Sequence, residues 1–185
     1  DARPTPLGIC TAQQRNDTLP ALGSEWANTP KIDRLVGEGS AITPAYCQNP
    51  ICTPSRASFL TGMYPSSIRA CMNGNDVWAD AAPLVTKLLA DAGYDCGLVG
   101  KLHLAGAAGR VEPRGDDGYR VFHWSHHPRD DWSEGHDYVE WLRAQGVDLS
   151  TFFEDPALIP PDLHQSSWCA DMAIDFMEEE RDQPW

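Results

Sequence analysis

The stretch CTPSR, residues 52–56, places a nucleophile and a cation at the start of a predicted helix. Thr53 predicts a helix N-cap and Pro54 a first helical residue, so Cys52 would lie just outside a helix that runs to Gly62. Unpaired backbone N–H groups and the positive end of the helix dipole attract anions there. The planar fork of Arg56 suits tetrahedral oxyanions. The stretch therefore presents a sulfur nucleophile, or its derivative, to a phosphate-like or sulfate-like group.

A second pair of candidate residues, Lys101 and His103, alternates in the stretch GKLHL directly after a predicted strand. Alternate residues of an extended chain point the same way, here into the crevice at the carboxyl end of the strand. A solvated lysine and a packed histidine are the alternative. Beside the cysteine stretch we favour the functional interpretation, in which both side chains belong to the site in that crevice.

A histidine-rich stretch, residues 123–137, holds four of the six histidines and two tryptophans. A metal site is conceivable, but His126 and His127 are adjacent and no second helical histidine pair joins them. We favour a loop at the mouth of a pocket, where it contacts the leaving group. A merely exposed loop is the alternative.

The composition excludes several functions. The 185 residues carry a net charge of −13, so a nucleic-acid partner is not expected. An anionic substrate would need local cations or a metal ion to overcome this field. No apolar run has the length of a membrane span. The six cysteines form no C-x-x-C pair, which favours free thiols and a cytoplasmic location over a periplasmic or secreted one.

The elements that must position these residues alternate along the chain, which predicts an α/β fold. Apolar periodicity and proline or glycine boundaries predict four helices beside the one after Cys52. They cover residues 30–37, 83–92, 131–145 and 166–181, the third with Asp131 and Glu134 as a capping box. Short apolar runs predict strands at 7–10, 41–46, 95–100 and 118–124. A further strand would follow the last helix, so the chain is interpreted as the first part of a larger domain.

Four segments of the chain resemble the sulfatase family. CTPSRASFLTG resembles the signature around the family's modified cysteine, and TPKIDRLVGEGS, GYDCGLVGKLHLAG and ICTAQQRNDT are similar to three other family segments. The four segments lie in the family's order between residues 7 and about 106. The segment ICTAQQRNDT is typical of a branch close to the phosphonate monoester hydrolases. The resemblance implies an alkaline-phosphatase-like mixed sheet flanked by helices. Residues 1–185 would be the N-terminal portion of one catalytic domain, whose remainder is absent.

The resemblance also implies a chemistry, the hydrolysis of a small-molecule or saccharide sulfate ester. Cys52 would be oxidised to formylglycine by a formylglycine-generating enzyme, and its hydrated aldehyde would attack sulfur. Calcium, or else manganese or magnesium, would activate that hydroxyl. Arg56 would orient the diol, Lys101 would contact sulfate and the diol, and His103 would hydrogen-bond the diol. Oligomerisation stays open.

Two further site residues follow from the resemblance alone. Asn73 is similar to an asparagine that lines the site of phosphonate monoester hydrolases, and a plain turn in MNGN is the alternative. Gln13 comes directly after the position where the family has its first metal-binding carboxylate, and it would contact the metal or the substrate. Modified Cys52 would be a metal ligand as well.

One departure from the family pattern concerns that carboxylate. The branch has aspartate where this chain has Ala12, and a methyl group cannot coordinate a hard cation. Further metal and sulfate ligands would lie beyond Trp185, so we expect this chain to be inactive alone. The alternatives are a phosphonate monoester or phosphodiester hydrolase of the same superfamily, and a non-catalytic pseudo-sulfatase that only binds anions.

Overall fold

The computed structural model describes residues 3–12, 14–74, 82–107, 111–127, 129 and 134–185. The chain divides into two compact units, of which one is Pro6–Cys47 and the other combines Asp1–Thr5 with Gln48–Trp185. No helix in the described part of the chain has the length and hydropathy to cross a membrane.

Within the described part of the Pro6–Cys47 unit there are one α-helix, α1 (Pro30–Glu38), and two short 3₁₀ helices. Pro30 begins α1, as the sequence predicts. Asp33 Oδ1 accepts from the Ala21 N–H at 3.0 Å and from the Thr29 hydroxyl at 3.3 Å. The strands predicted at 7–10 and 41–46 are absent, and both runs are irregular. A short apolar run becomes a strand only where another strand satisfies its backbone groups, and no described strand pairs with either run.

The described residues of the larger unit form the sheet and four α-helices. In chain order these elements are α2 (Cys52–Thr61), α3 (Val85–Asp91), β1 (Cys96–Gly100), β2 (Tyr119–Trp124), α4 (Asp137–Ala144) and α5 (Gln165–Glu178). Strands β1 and β2 pair in parallel, with Leu98 opposite Phe122 and Val99 opposite His123. Both strands lie where the sequence predicts them. Alternation of strands and helices around a parallel pair is the predicted α/β pattern.

The two faces of the sheet pack against different cores, because successive strand residues point to opposite faces. Leu98 and Phe122 pack against a cluster that includes Ala57 of α2. Val99 packs against a second cluster, which includes Leu142 of α4 and Trp168 of α5. The helices therefore flank both faces. The carboxyl ends of β1 and β2 meet at one edge, from which the segments after Gly100 and Trp124 depart.

Two helices begin later than the sequence predicts. Helix α4 begins at Asp137, and its N-cap is the buried His136, whose Nδ1 accepts the Val139 N–H at 3.4 Å. The predicted capping box is wrong, since Glu134 lies outside the helix; Asp131 lies outside the described residues. Helix α3 begins at Val85 rather than at residue 83, because residue 84 has an extended backbone (φ −71°, ψ 149°).

Candidate active site

Helix α2 begins at Cys52 itself, with Ile51 as its N-cap. The prediction that Thr53 is the N-cap is therefore wrong by two residues, and Thr53 is fully buried inside the first turn. Cys52 occupies the first helical position and is exposed. The nucleophile candidate is thus accessible on a helix end whose neighbouring residue is fixed in the core.

Asn73, a remote residue, supplies the side-chain cap of this helix. Its Oδ1 accepts from the backbone N–H and from the hydroxyl of Thr53, both at 3.3 Å, and Thr53 Oγ1 accepts the Gly74 N–H at 3.0 Å. Gly74 has φ +67°, as the Asn-Gly turn signal predicts. One of the helix N–H groups expected to face an anion is therefore already satisfied. A direct role of Asn73 in substrate binding stays a prediction.

Replacing Asn73 separates these two roles. Asn73→Ala removes the acceptor for Thr53 and should lower the free energy of unfolding by about 1 kcal/mol, the typical cost of losing a helix cap. Asn73→Asp keeps the acceptor and adds a negative charge at the helix N-terminus, so it should preserve stability. The same charge should raise KM for an anionic ester. Urea unfolding and steady-state kinetics measure the two effects. Equal stability of Asn73→Ala and the parent protein would show that Asn73 is no cap.

Arg56 connects α2 to the segment that follows β1. It lies four residues after Cys52, on the same side of the helix. Its Nη1 donates a hydrogen bond to the backbone carbonyl of Lys101. Half-buried Arg56 and Lys101 therefore lie together next to the carboxyl end of β1.

Lys101 and His103 follow the last residue of β1 but do not continue the strand. His103 has φ +56°, in the left-handed region that non-glycine residues rarely adopt. The alternation argument for their common direction therefore does not apply. The imidazole is buried, and burial, together with the charges of Lys101 and Arg56 and the neighbouring His126, lowers the pKa of His103 to about 4. His103 is thus a neutral imidazole at pH 7.

The histidine-rich stretch is not one exposed loop. His123 belongs to β2, His136 is buried at the start of α4, and His127 is exposed. His126 meets His103 edge-on, with ring centroids 4.7 Å apart, and stacks on Trp124 at 5.8 Å. The stretch therefore contributes a wall behind His103. Residues 128 and 130–133 lie outside the described part of the chain.

Glu112 is a site residue that sequence reasoning did not identify. It is 2% exposed, and its Oε1 accepts the His103 backbone N–H at 2.7 Å. Burial raises the pKa of Glu112 to about 7, against the opposing effects of the His103 and Ala105 N–H groups and of Arg56 and Lys101. No motif marks it, because a single glutamate between Val111 and Pro113 is typical of an exposed loop.

The described residues do not fit a calcium site by themselves. Nowhere in the described ranges do three histidine, cysteine or acidic side chains converge as metal ligands would. Gln13, a predicted ligand, lies outside the described residues, and Ala12 offers no oxygen from its side chain. The chemistry that these residues can perform is therefore anion binding by Arg56 and Lys101 beside a neutral histidine and an exposed cysteine.

Comparison with known proteins gives consistent matches. A family model described as Sulfatase matches residues 4–185. The arylsulfatase of Clostridium perfringens is 27% identical over 192 residues, which cover 95% of this chain and 40% of that protein. The N-acetylgalactosamine-6-O-sulfatase of Bacteroides thetaiotaomicron is 40% identical over 90 residues, which cover 46% of this chain and 18% of that protein.

A solved structure shares the fold. The phosphonate monoester hydrolase of Agrobacterium radiobacter superposes with a TM-score of 0.70 at 23% sequence identity, over 94% of this chain and 37% of that one. The predicted alkaline-phosphatase-like α/β fold is thereby confirmed, with a small parallel sheet in the described residues. This chain spans about 40% of the length of the Clostridium perfringens relative.

Proposed function

The chain belongs to the sulfatase family, and from this premise we propose that the full-length protein hydrolyses a sulfate monoester at the site around Cys52. The observation that carries the proposal is the convergence of Arg56 and Lys101 beside neutral His103 in a chain of net charge −13. A local pair of cations in an acidic protein favours an anionic substrate. Its position next to the exposed first residue of α2 brings that substrate to the modified cysteine.

Residue 52 supplies the nucleophile in this proposal. As formylglycine it carries a geminal diol, of which one hydroxyl attacks sulfur and the other later releases sulfate as the carbonyl re-forms. Arg56, anchored on the Lys101 carbonyl, orients residue 52 and the sulfate oxygens. The Lys101 ammonium neutralises charge on the sulfate, and the imidazole of His103 holds a proton at the diol or the leaving oxygen without carrying a charge itself.

The names of the relatives support a substrate class. The Bacteroides thetaiotaomicron relative is named for a sulfated amino sugar, and the Clostridium perfringens relative for aryl sulfates. We propose a saccharide or small-molecule sulfate ester on that basis. A phosphonate monoester or phosphodiester is the second candidate, because the fold neighbour is a phosphonate monoester hydrolase. Ala12 favours a third, an anion-binding protein without turnover.

The modification of Cys52 is directly measurable. Co-expression with a formylglycine-generating enzyme should lower the mass of the peptide that contains residue 52 by about 18 Da, since an oxygen replaces the thiol and a hydrogen. Cys71 is also exposed and lies in a different tryptic peptide, which is a matched internal control that should keep the thiol mass. Exposed Cys47 shares the tryptic peptide of residue 52, so fragment ions must show that Cys47 keeps its thiol. A thiol at all three positions after co-expression would contradict the proposed nucleophile.

A further inference from the structure

Glu112 is a buried carboxylate that the proposed reaction does not use. Its side chain reaches from the segment before β2 to the backbone of the segment after β1, where it accepts the N–H group of His103. Its second oxygen, Oε2, is buried and has no hydrogen-bond partner among the described residues. Burial of a carboxylate is unfavourable unless its bonds compensate. A carboxylate at this position therefore needs a reason beyond packing.

The backbone at His103 supplies one reason. A non-glycine residue with φ +56° costs about 1–2 kcal/mol, so surrounding contacts must hold it. Glu112 supplies one such contact, because its Oε1 accepts the His103 N–H at 2.7 Å. Arg56 fixes the same segment from the other side through the Lys101 carbonyl. The segment is thus fixed at two backbone groups, one of them by Glu112.

The charges around Glu112 supply a second reason. The cations of Arg56 and Lys101 both act on the carboxylate, and the third neighbour, His103, is neutral. Two cations close together repel each other until an anion arrives. Above its pKa of about 7 the Glu112 side chain is negative and reduces that repulsion, which favours both side chains near the proposed substrate position. The carboxylate thereby supports the charged side chains as well as the backbone.

We propose that Glu112 is a positioning residue for the ester hydrolysis. It holds residues 101–105 so that the Lys101 ammonium and the His103 imidazole meet the substrate, and it does not contact the substrate itself. The reaction in this inference rests on the proposed function. The positioning role rests on the contacts of Glu112.

Variants of Glu112 in the full-length, matured protein test the proposal. The parent should carry Ala12→Asp, so that turnover is high enough to compare. Glu112→Gln keeps the size and one acceptor oxygen but loses the charge, and we expect kcat to fall roughly 10- to 100-fold with a smaller change in KM, as for a displaced catalytic group. Glu112→Ala removes both acceptors and should lose more.

A matched control is Asp95→Asn. Asp95 is also a buried carboxylate, bonded to Arg120 at 2.6 and 2.7 Å, but it precedes β1 at the end away from the site. This substitution should lower the melting temperature and leave kcat near the parent value. Loss of stability and loss of positioning are thereby separated.

Amide hydrogen exchange gives a readout that needs no turnover. The amide of His103 should exchange slowly in the parent and in Asp95→Asn, and fast in Glu112→Ala. Parent-like kcat in Glu112→Gln and Glu112→Ala, or unchanged exchange at the His103 amide, would overturn the inference. A parent protein that cleaves phosphonates but no sulfate ester overturns the proposed function only, because each variant is compared with its parent on the same ester. A parent that cleaves neither overturns both.

Discussion

Lys101→Ala and His103→Ala should each reduce the kcat of the full-length enzyme by roughly 10²- to 10³-fold, the usual loss for one electrostatic partner of a transition state. The two side chains reach the site by different routes. Lys101 is held by the bond from Arg56 to its carbonyl, and His103 by the bond from its own N–H to Glu112. In the proposed reaction both act on charge that develops on sulfate or on the bridging oxygen, so the loss should appear in kcat more than in KM.

The backbone of His103 requires an additional variant. Alanine tolerates φ +56° poorly, so His103→Ala combines strain with loss of the imidazole. Asparagine enters the left-handed region readily, and His103→Asn should therefore fold like the parent yet stay slow. Lys87→Ala is the control for lysine, because Lys87 pairs with Asp91 on α3 rather than with the site. Parent-like rates in Lys101→Ala and His103→Asn would show that the site is assigned to the wrong residues.

Ala12→Asp should raise both the calcium affinity and the rate of the full-length protein. By resemblance to the family, position 12 is a carboxylate ligand, and calcium sites depend on the number of charged oxygen ligands. Losing an outer-shell partner costs about 10- to 100-fold in metal affinity, and a direct ligand should cost at least as much. We therefore expect the protein with Ala12 to be nearly inactive, and the aspartate form to bind calcium at least about tenfold more tightly.

Calcium titration by calorimetry measures the first effect without turnover. Ala12→Asn is the matched control, because it adds an amide oxygen of similar size without the charge. Its affinity should lie between those of the alanine and aspartate forms. Equal calcium affinity and equal rates in all three would show that position 12 is not a metal ligand, and that the opening segment is wrongly aligned with the family.

The sequence predicted those elements whose signals are local. Pro30 at the start of α1, the apolar run of β1 and the apolar stripe of α5 each carry their own periodicity or boundary residue, and the structure confirms all three. The strand predicted at residues 7–10 failed, because pairing depends on a neighbouring strand that a single apolar run does not reveal. The late start of α4 also depends on tertiary structure, because its N-cap is the buried His136 rather than an acidic residue.

Within the candidate site too, the sequence predicts features with local signals and misses those that depend on tertiary contacts. The stretch from Cys52 to Arg56 and the stretch with Lys101 and His103 are local patterns, and the structure brings Arg56 to Lys101. The cap on Thr53 is Asn73, twenty residues downstream. The contact to the His103 backbone comes from Glu112, nine residues downstream. These partners come from tertiary contacts without a fixed spacing. Sequence patterns could therefore indicate the candidate reacting groups but not the groups that hold them.

The measurement that tests the central claim most directly compares esters that share one leaving group. An aryl sulfate, an aryl phosphonate monoester and an aryl phosphodiester should be assayed with the full-length, matured Ala12→Asp protein, and with its Cys52→Ala variant as the background. Sulfate-ester hydrolysis should show the highest kcat/KM and should disappear in Cys52→Ala. A higher kcat/KM for the phosphonate or the diester, or sulfate hydrolysis that survives in Cys52→Ala, would contradict a sulfatase that acts through residue 52.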